Sequence, residues 1–404
     1  MKRAETRYGD KVAIDDLGNL KGQTVFIRAD FNVPLDGVTV TDDTRIRSAL
    51  PTIHFAIDAG AKVVLASHLD RPEGRDPRFS LEPVCKRLSS LLHKEVRFLP
   101  DCIGPQVKRA VSRMKPGEVA LLENLRFHPG ECDNDPAFAR ALANIGATVY
   151  INDAFGTAHR DHASVTGIAE FMAVKGCGLL MKKEIGYLEG AVENPARPFV
   201  AILGGSKVSG KIGMIEHLGR RVDKVIVGGA IAFTFLKAQG HDVGKSLVEE
   251  GMLDVARKIM GQIAERKIKF YLPVDCVAAE SRDAGAEAKV VTVQEIPKGW
   301  MGLDIGPASV RLFREAISNA KTILWNGPMG AFEVDAYARG STAIAHEVAS
   351  AFALTIVGGG ETAEAVHRAG ESDNISFIST GGGAALQLLS GRELSGLSVL
   401  PNKA

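Results

Sequence analysis

Phe199–Lys211 reads FVAILGGSKVSGK: five apolar residues, a glycine pair, then two lysines four residues apart. Five apolar residues without alternation predict a buried strand of a parallel sheet. Gly204 and Gly205 predict a tight strand-to-helix turn where bare backbone can approach a ligand. A helix opening after them offers unpaired N–H groups and the positive end of its dipole. Lys207 and Lys211 are expected on that helix, one turn apart on one face. Together these parts make a phosphate grip. The stretch lies at the middle of a chain of 404 residues, and each half reads differently around it.

The second half repeats one unit, an apolar strand running into a glycine corner. Lys224–Val227 meets Gly228-Gly229, and residues 302–305 meet Gly306-Pro307. Thr322–Trp325 meets Asn326-Gly327-Pro328, and residues 354–357 meet Gly358-Gly359-Gly360-Glu361-Thr362. Residues 376–379 meet Gly381-Gly382-Gly383. One such corner is weak evidence, because glycine also serves packing. The series predicts a doubly wound α/β sheet whose mouth is lined by backbone N–H groups, as nucleotide phosphates require. There is no GxxxxGK[ST] and no GxGxxG on the first unit, which argues against a P-loop protein and a dinucleotide dehydrogenase. Glu333 and Glu361 are carboxylates beside glycine corners. Each suits ribose or magnesium, or simply a solvated helix start.

The first half alternates strand and helix. Thr24–Ala29 ends in Asp30-Phe31-Asn32, and Ala61–Ser67 ends in His68-Leu69-Asp70-Arg71. Residues 118–122 run into Arg126, and residues 148–151 run towards His159 and Arg160. A helix is expected from about Arg45, capped by Asp42 or Asp43, with Pro51 opening a second segment. Strands without alternation again mean a parallel sheet covered on both faces, and ligands bind beyond the carboxyl ends of such strands. Loop arginines are commonly just solvated. Several at corresponding strand ends point instead to an anionic ligand, because a planar guanidinium binds two oxygens at once.

A chain this long predicts two domains. Hydrophobic content of 45%, charged content of 24% and a net charge of +1 fit a globular protein without nucleic-acid or membrane-surface partners. Five scattered cysteines with no CxxC predict reduced thiols and a cytoplasmic setting. MKRAETRYGDK has no signal-peptide h-region, and no apolar run is long enough to span a bilayer. The unequal spacing of the glycine corners argues against a structural repeat array.

RADFNVP (28–34), SHLDRP (67–72), LLENLRFHPGE (121–131), NDAFGTAHRDHAS (152–164), GGSKVSGKI (204–212), WMGLDIGP (300–307), WNGPMGAFE (325–333), GGGET (358–362) and STGGGA (379–384) resemble phosphoglycerate kinases, in order and over nearly the whole chain. The resemblance implies two Rossmann-like domains with parallel doubly wound sheets, facing each other across a hinged cleft. Residues 1–185 would bind phosphoglycerate, with a tail from about 393–404 packed back on them. Residues 186–392, including the connecting helix, would bind the nucleotide. It implies reversible transfer of the acyl phosphate of 1,3-bisphosphoglycerate to ADP in glycolysis, by a cytoplasmic monomer that uses Mg2+ and closes its domains. A catalytically silent nucleotide-binding protein on the same fold is the rival.

Carried over by position, Asp30, Phe31, Asn32, Arg45, His68, Leu69, Asp70, Arg71, Arg126 and Arg160 resemble the substrate site. Lys207 and Lys211 resemble the phosphate lysines, and with Arg45 they are the expected catalytic cations. Gly228, Gly229 and Gly302 resemble the adenine pocket, and Asn326, Pro328 and Glu333 the ribose contacts. Gly359, Gly360, Glu361 and Thr362 resemble the loop at the nucleotide phosphates, with Glu361 at the metal. Four positions depart from the usual family pattern: Glu361 replaces Asp, Asp70 replaces Gly, Gly210 replaces Asp, and Gln387 replaces Glu.

Overall fold

The computed structural model describes residues 7–403; residues 1–6 and 404, part of the expected first domain and its tail, lie outside the described residues. The described chain forms two compact units, residues 7–186 with 393–403, and residues 187–392. The helix Leu179–Glu193 runs from one into the other.

The first unit is built on six parallel strands: β1 Thr24–Arg28, β2 Lys62–Ala66, β3 Val96–Leu99, β4 Val119–Leu122, β5 Val149–Asn152 and β6 Val174–Cys177. Their order in the sheet is β3-β4-β2-β1-β5-β6. β1, β4 and β5 are buried at every position. The core on one face joins Val25, Ile27, Val63, Leu65 and Ile151 to Ile46, Ile53, Val84 and Leu88 from helices Thr44–Asp58 and Glu82–Leu92. β6 has no strong apolar signature and is not expected from the sequence; it pairs with β5 from Val149↔Val174 to Asn152↔Cys177. The final segment closes on this unit, with Gly396 N–H donating to Ala158 O at 2.8 Å and Asn152 Nδ2 donating to Gly396 O at 3.2 Å.

Helix Thr44–Asp58 continues through Pro51, which therefore does not open a second segment. Asp43 stands at its N-cap without a side-chain cap bond, and its carboxylate is engaged by Arg47 and Arg87 instead. Asp42 takes the Thr44 N–H at 2.9 Å.

The second unit has six parallel strands: β7 Phe199–Leu203, β8 Lys224–Val227, β9 Lys269–Tyr271, β13 Thr322–Asn326, β14 Leu354–Gly358 and β15 Phe377–Ile378. Between β9 and β13 lies a separate three-stranded antiparallel sheet, β10 Asp275–Ala279, β11 Ala288–Thr292 and β12 Met301–Ile305. The main order is β9-β8-β7-β13-β14-β15, doubly wound about the β7/β13 boundary. Residues 302–305 were expected in that sheet, and the structure corrects this. β12 pairs antiparallel with β10, and Gly302 is where the Phe233 ring of helix Gly229–Ala238 packs; a Cβ there would lie 2.0 Å from Phe233 Cζ. The glycine serves a helix-on-sheet contact that the strand-and-corner pattern does not reveal.

Asp304 of β12 is buried, and its carboxylate accepts Gly340 N–H at 2.6 Å and Ile305 N–H at 2.9 Å. Burial pushes its carboxyl from 3.8 up to about 7, against those two bonds. Between these values the folded protein holds a proton that the unfolded chain releases. This contribution to stability therefore falls as pH rises from about 4 to about 7. Asp304→Asn should be less stable throughout, having lost one acceptor, and should lack that slope. Unfolding by denaturant at pH 4.5 and pH 7.5 checks it, and an unchanged slope in the variant refutes it.

Candidate functional site

The neighbouring strands β4, β2, β1 and β5 deliver their carboxyl ends side by side. The loops leaving them carry Arg126, His68 with Arg71, Asp30 with Asn32, and Arg160. Arg45, on the first turn of helix Thr44–Asp58, reaches Asp30 with Nη1–Oδ2 at 2.9 Å. Asn32 Oδ1 accepts Asp70 N–H at 2.8 Å, and Asp70 O accepts from Arg126 Nη1. The loops of β1, β2 and β4 are thereby tied together around the charges. Phe31 and Leu69 are buried in the core, so their contact with any ligand would be through backbone.

The charge in this region is unbalanced. Arg45 has Asp30, and Arg28 has Glu131 at 3.9 Å. Among the described residues, Arg71, Arg126 and Arg160 have no ion-pair partner. Burial depresses the pKa of both Arg126 and Arg160, and neighbouring arginines depress them further. Burial, then the arginines at 28, 126, 160 and 45, holds His68 well below its ordinary value. His162 is pushed down to about 4 by burial and the same cluster. Both histidines are neutral at pH 7. Arg126 Nε and His159 Nδ1 are buried without a hydrogen-bond partner. A cluster with unspent donors and unopposed positive charge is an anion site.

The sequence pattern singles out none of Arg28, Glu131, Ser164 or His162 as a site residue. Arg28 is fully buried at the end of β1; its Nε donates to Ser164 Oγ at 2.7 Å, and its Nη2 lies 3.3 Å from His68 Nδ1. A lone arginine inside TVFIRA was the available signal.

In the second unit the glycine corners differ from expectation. Lys207 and Lys211 do not share a helical face, because residues 204–211 form an irregular turn and the helix begins at Ile212, with Lys211 at its N-cap. Lys207 is exposed. Lys211 is half-buried, and its Nζ donates to Asn326 O at 3.2 Å. Burial lowers its pKa to about 8, opposed by the nearby Glu361 carboxylate.

The N–H groups of the glycine pairs are not spare phosphate donors either. Gly204 N–H goes to Asn326 O, Gly205 N–H to Pro328 O, Gly228 N–H to Leu203 O and Gly229 N–H to Met329 O. These corners are glycine because three backbones cross there. A Cβ on Gly204 would lie 2.1 Å from Pro328 O, and one on Gly327 would lie 2.2 Å from Gly204 O. The helix start that keeps orphan donors is Gly360–Arg368, where the N-cap Gly359 adopts φ 93° and the first-turn N–H groups of Gly360, Glu361 and Thr362 precede any intrahelical acceptor. Thr362 Oγ1 accepts Gly327 N–H at 2.7 Å, and Asn326 Nδ2 donates to Gly358 O at 2.9 Å. Those two side chains hold the loops together.

A cavity of about 600 Å³ opens beside them. Gly229, Gly302, Pro328, Glu333 and Glu361 of the expected nucleotide set line it. Its apolar wall is Leu247, Met301, Leu303, Ala331 and Phe332, and Lys245 and Arg282 add positive charge. Glu333 is ion-paired with Arg282. A flat apolar pocket next to a helix start, a lysine and a carboxylate suits a base with its phosphates.

Asp101, Cys102 and His128 also bring possible metal-ligating atoms together. They form a closed hydrogen-bonded set instead: His128 Nε2 meets Asp101 Oδ1 at 2.7 Å, and the Cys102 thiol donates to Glu123 O at 2.9 Å. Burial raises that thiol's pKa well above its ordinary value, which keeps it protonated.

Two α/β units, one with an unopposed arginine cluster and one with an apolar pocket beside a helix start, suit a phosphotransferase without a P-loop. The phosphoglycerate kinase family model matches residues 14–392. A phosphoglycerate kinase of Geobacter metallireducens is 60% identical over 96% of this chain and 98% of that relative. One of Aquifex aeolicus is 54% identical over 95% and 97%. The solved phosphoglycerate kinase of Coxiella burnetii superposes with a TM-score of 0.87 at 39% identity, over 96% of this chain and 98% of that one. The chain belongs to the phosphoglycerate kinase family. It is a phosphotransferase of the glycolytic step that makes ATP from 1,3-bisphosphoglycerate and ADP. Nothing in the fold or the comparisons favours a silent nucleotide-binding protein. Among the described residues no helix is long and apolar enough to cross a membrane.

Asp70, where the family's usual residue is glycine, has φ 54°. Its backbone makes the bonds to Asn32 and Arg126, and its own carboxylate only accepts Arg71 N–H at 2.9 Å. Asp70→Gly keeps the backbone bonds, removes left-handed strain and removes a negative charge beside the arginines. It should raise stability by up to about 1 kcal/mol and lower the KM for 3-phosphoglycerate roughly twofold or more. A thermal melt and steady-state kinetics check both; a higher KM would show that the carboxylate helps binding.

Proposed function

We propose that residues 7–186 hold the phosphoglycerate and residues 187–392 hold ADP or ATP, and that this division is the basis of the mechanism. The carrying observation is the split in chemistry: unpaired arginines at the ends of β4 and β5 in one unit, and the apolar cavity beside Lys211 and the Gly360 helix start in the other. Arg71, Arg126 and Arg160, with Asp30, Asn32 and the neutral His68, recognise the glycerate phosphate, carboxylate and hydroxyl. Arg45, anchored by Asp30, and Lys211 act on the phosphoryl group in transfer.

The accepting carboxylate of 3-phosphoglycerate is already ionised at neutral pH, so no general base is needed. Positioning and charge neutralisation carry the rate. Because the cations are divided between the units, turnover requires both sets to act on one phosphoryl group while water is kept from the acyl phosphate.

Glu361 supports a magnesium role. It is an exposed carboxylate in the cavity wall, at the helix start and close to Lys211. Magnesium is commonly held by one or two carboxylates, waters and substrate phosphates, and one such carboxylate fits that set. The ion, when bound with the nucleotide, neutralises phosphate charge; Glu361 would hold it directly or through water, given its extra methylene. We further place the protein in the cytoplasm, a reading supported by five free cysteines, four of them buried, and take it as a monomer on the family resemblance alone.

A coupled assay for ATP formation, run with and without magnesium, tests the whole reading. Arg45→Ala should cut kcat by about 10²–10³-fold, the scale of one lost transition-state donor, while 3-phosphoglycerate binding by calorimetry changes far less. Near-normal turnover removes Arg45 from the mechanism. Lys211 titrates near 8 in the free protein, and bound phosphates favour its charged form. ADP affinity should therefore weaken as pH rises above about 8. Lys211→Arg should remove that dependence, and an identical pH profile in both proteins would refute the role.

A further inference from the structure

Glu131 lies beside the arginine cluster, and among the described residues its side-chain hydrogen bonds and ion pairs go to Ser164, Arg28 and His162, none of them expected to meet substrate. It is fully buried at the end of the turn Pro129–Glu131. Its Oε2 accepts Ser164 N–H at 2.9 Å, and its Oε1 accepts Ser164 Oγ–H at 2.6 Å. Arg28 Nη2 is 3.9 Å from Oε1, and His162 Nδ1 is 3.7 Å from it. Ser164 Oγ in turn accepts from Arg28 Nε at 2.7 Å. Both carboxylate oxygens are satisfied, and the pair Arg28 and Glu131 has no exposed side-chain surface. A buried guanidinium next to further arginines is costly unless an anion answers it. Asp30 answers Arg45 from the rim; Glu131 is the other carboxylate ion-paired with the cluster among the described residues, and it is closed off from solvent.

We propose that Glu131 is the resident counter-ion of the phosphoglycerate site, a positioning residue that stabilises the crowded arginines when the site is empty and weakens the pull of that site on its anion. The inference rests on the arginine cluster being the phosphoglycerate site. Glu131 and the ligand answer the same positive charge. Glu131 thus lowers the charge repulsion of the free protein and limits the affinity for product, which has to leave on every cycle.

This sets charge apart from shape. In Glu131→Gln the amide oxygen can accept Ser164 N–H, and the amide nitrogen can donate to the second lone pair of Ser164 Oγ, so the packing survives while the charge is lost. The full-length variant should melt at a lower temperature than the wild type in the absence of ligand, yet bind 3-phosphoglycerate about threefold or more tightly, with a lower KM and no rise in kcat. Glu131→Asp keeps the charge and should bind like the wild type. Arg28→Met/Glu131→Gln removes one charge of each sign. It should bind within about twofold of the wild type, and it keeps the test open should Glu131→Gln fail to fold.

Isothermal titration calorimetry with 3-phosphoglycerate on these proteins and on Arg160→Ala decides the matter. Glu131→Gln binding equally or more weakly, while Arg160→Ala loses affinity, overturns the counter-ion role alone. A double variant many-fold weaker than the wild type overturns it too, since Arg28 would then be attracting ligand directly. Arg160→Ala binding like the wild type overturns the site assignment, and the inference with it.

Discussion

Like charge held together at the end of one parallel sheet is the constraint that organises the first unit. Arg28, Arg45, Arg71, Arg126 and Arg160 arrive on separate elements, and among the described residues two carboxylates are ion-paired with them, one at the rim and one buried. Each guanidinium repels the next, so their loops would drift apart without other ties. Those ties are visible. Asn32 holds the backbone of Asp70, Asp70 accepts Arg126, and Asn124 accepts Leu69 N–H at 3.2 Å while donating to Leu69 O at 2.8 Å. The sheet order makes these ties short, because the loops leave four adjacent strands. A ligand with several negative charges then completes an arrangement that the fold has stabilised only in part.

The second unit solves a different problem, bringing backbones close enough to shape a pocket. Gly204, Gly229 and Gly327 lie where three corners cross, and each would place a Cβ against another backbone. The N–H groups there are consumed in locking β7, β8 and β13 to one another. That lock leaves the Gly360–Arg368 helix start and Lys211 as the donors that the proposed phosphate site can use. Thr362 and Asn326 connect the two halves of this device, so the lock and the binding end share residues.

Much of this was legible in the chain. Apolar runs without alternation identified both parallel sheets, and the polar residues expected at their carboxyl ends do come together there, since both follow from local pattern. What stayed hidden depends on contacts distant in sequence. β6 is a weak strand that exists because β5 offers it an edge. β12 resembles the other glycine-ended strands but pairs antiparallel, because β10 and Phe233 decide its place. Lys207 and Lys211 have helical spacing in a segment whose backbone is tied to the crossing corners at Gly204 and Gly205, and the helix starts only at Ile212. Arg28 and Glu131 are 103 residues apart, and no spacing rule joins them.

The neutral histidines bear on the chemistry as much as the charged groups do. His68 and His162 sit among arginines that, with burial, hold both pKa values down, His162 to about 4. The cationic charge of this site is then carried by guanidiniums, which do not titrate in the physiological range. A reaction between a carboxylate and a phosphate needs no proton at the reacting oxygens, so a titrating base here would add pH dependence without adding rate. Arginine also presents its donors in flat pairs, which suits two oxygens of a carboxylate or a phosphate at once. The first unit is thus built for constant charge. Lys211 in the second unit, with its pKa near 8, is the group on which pH can act.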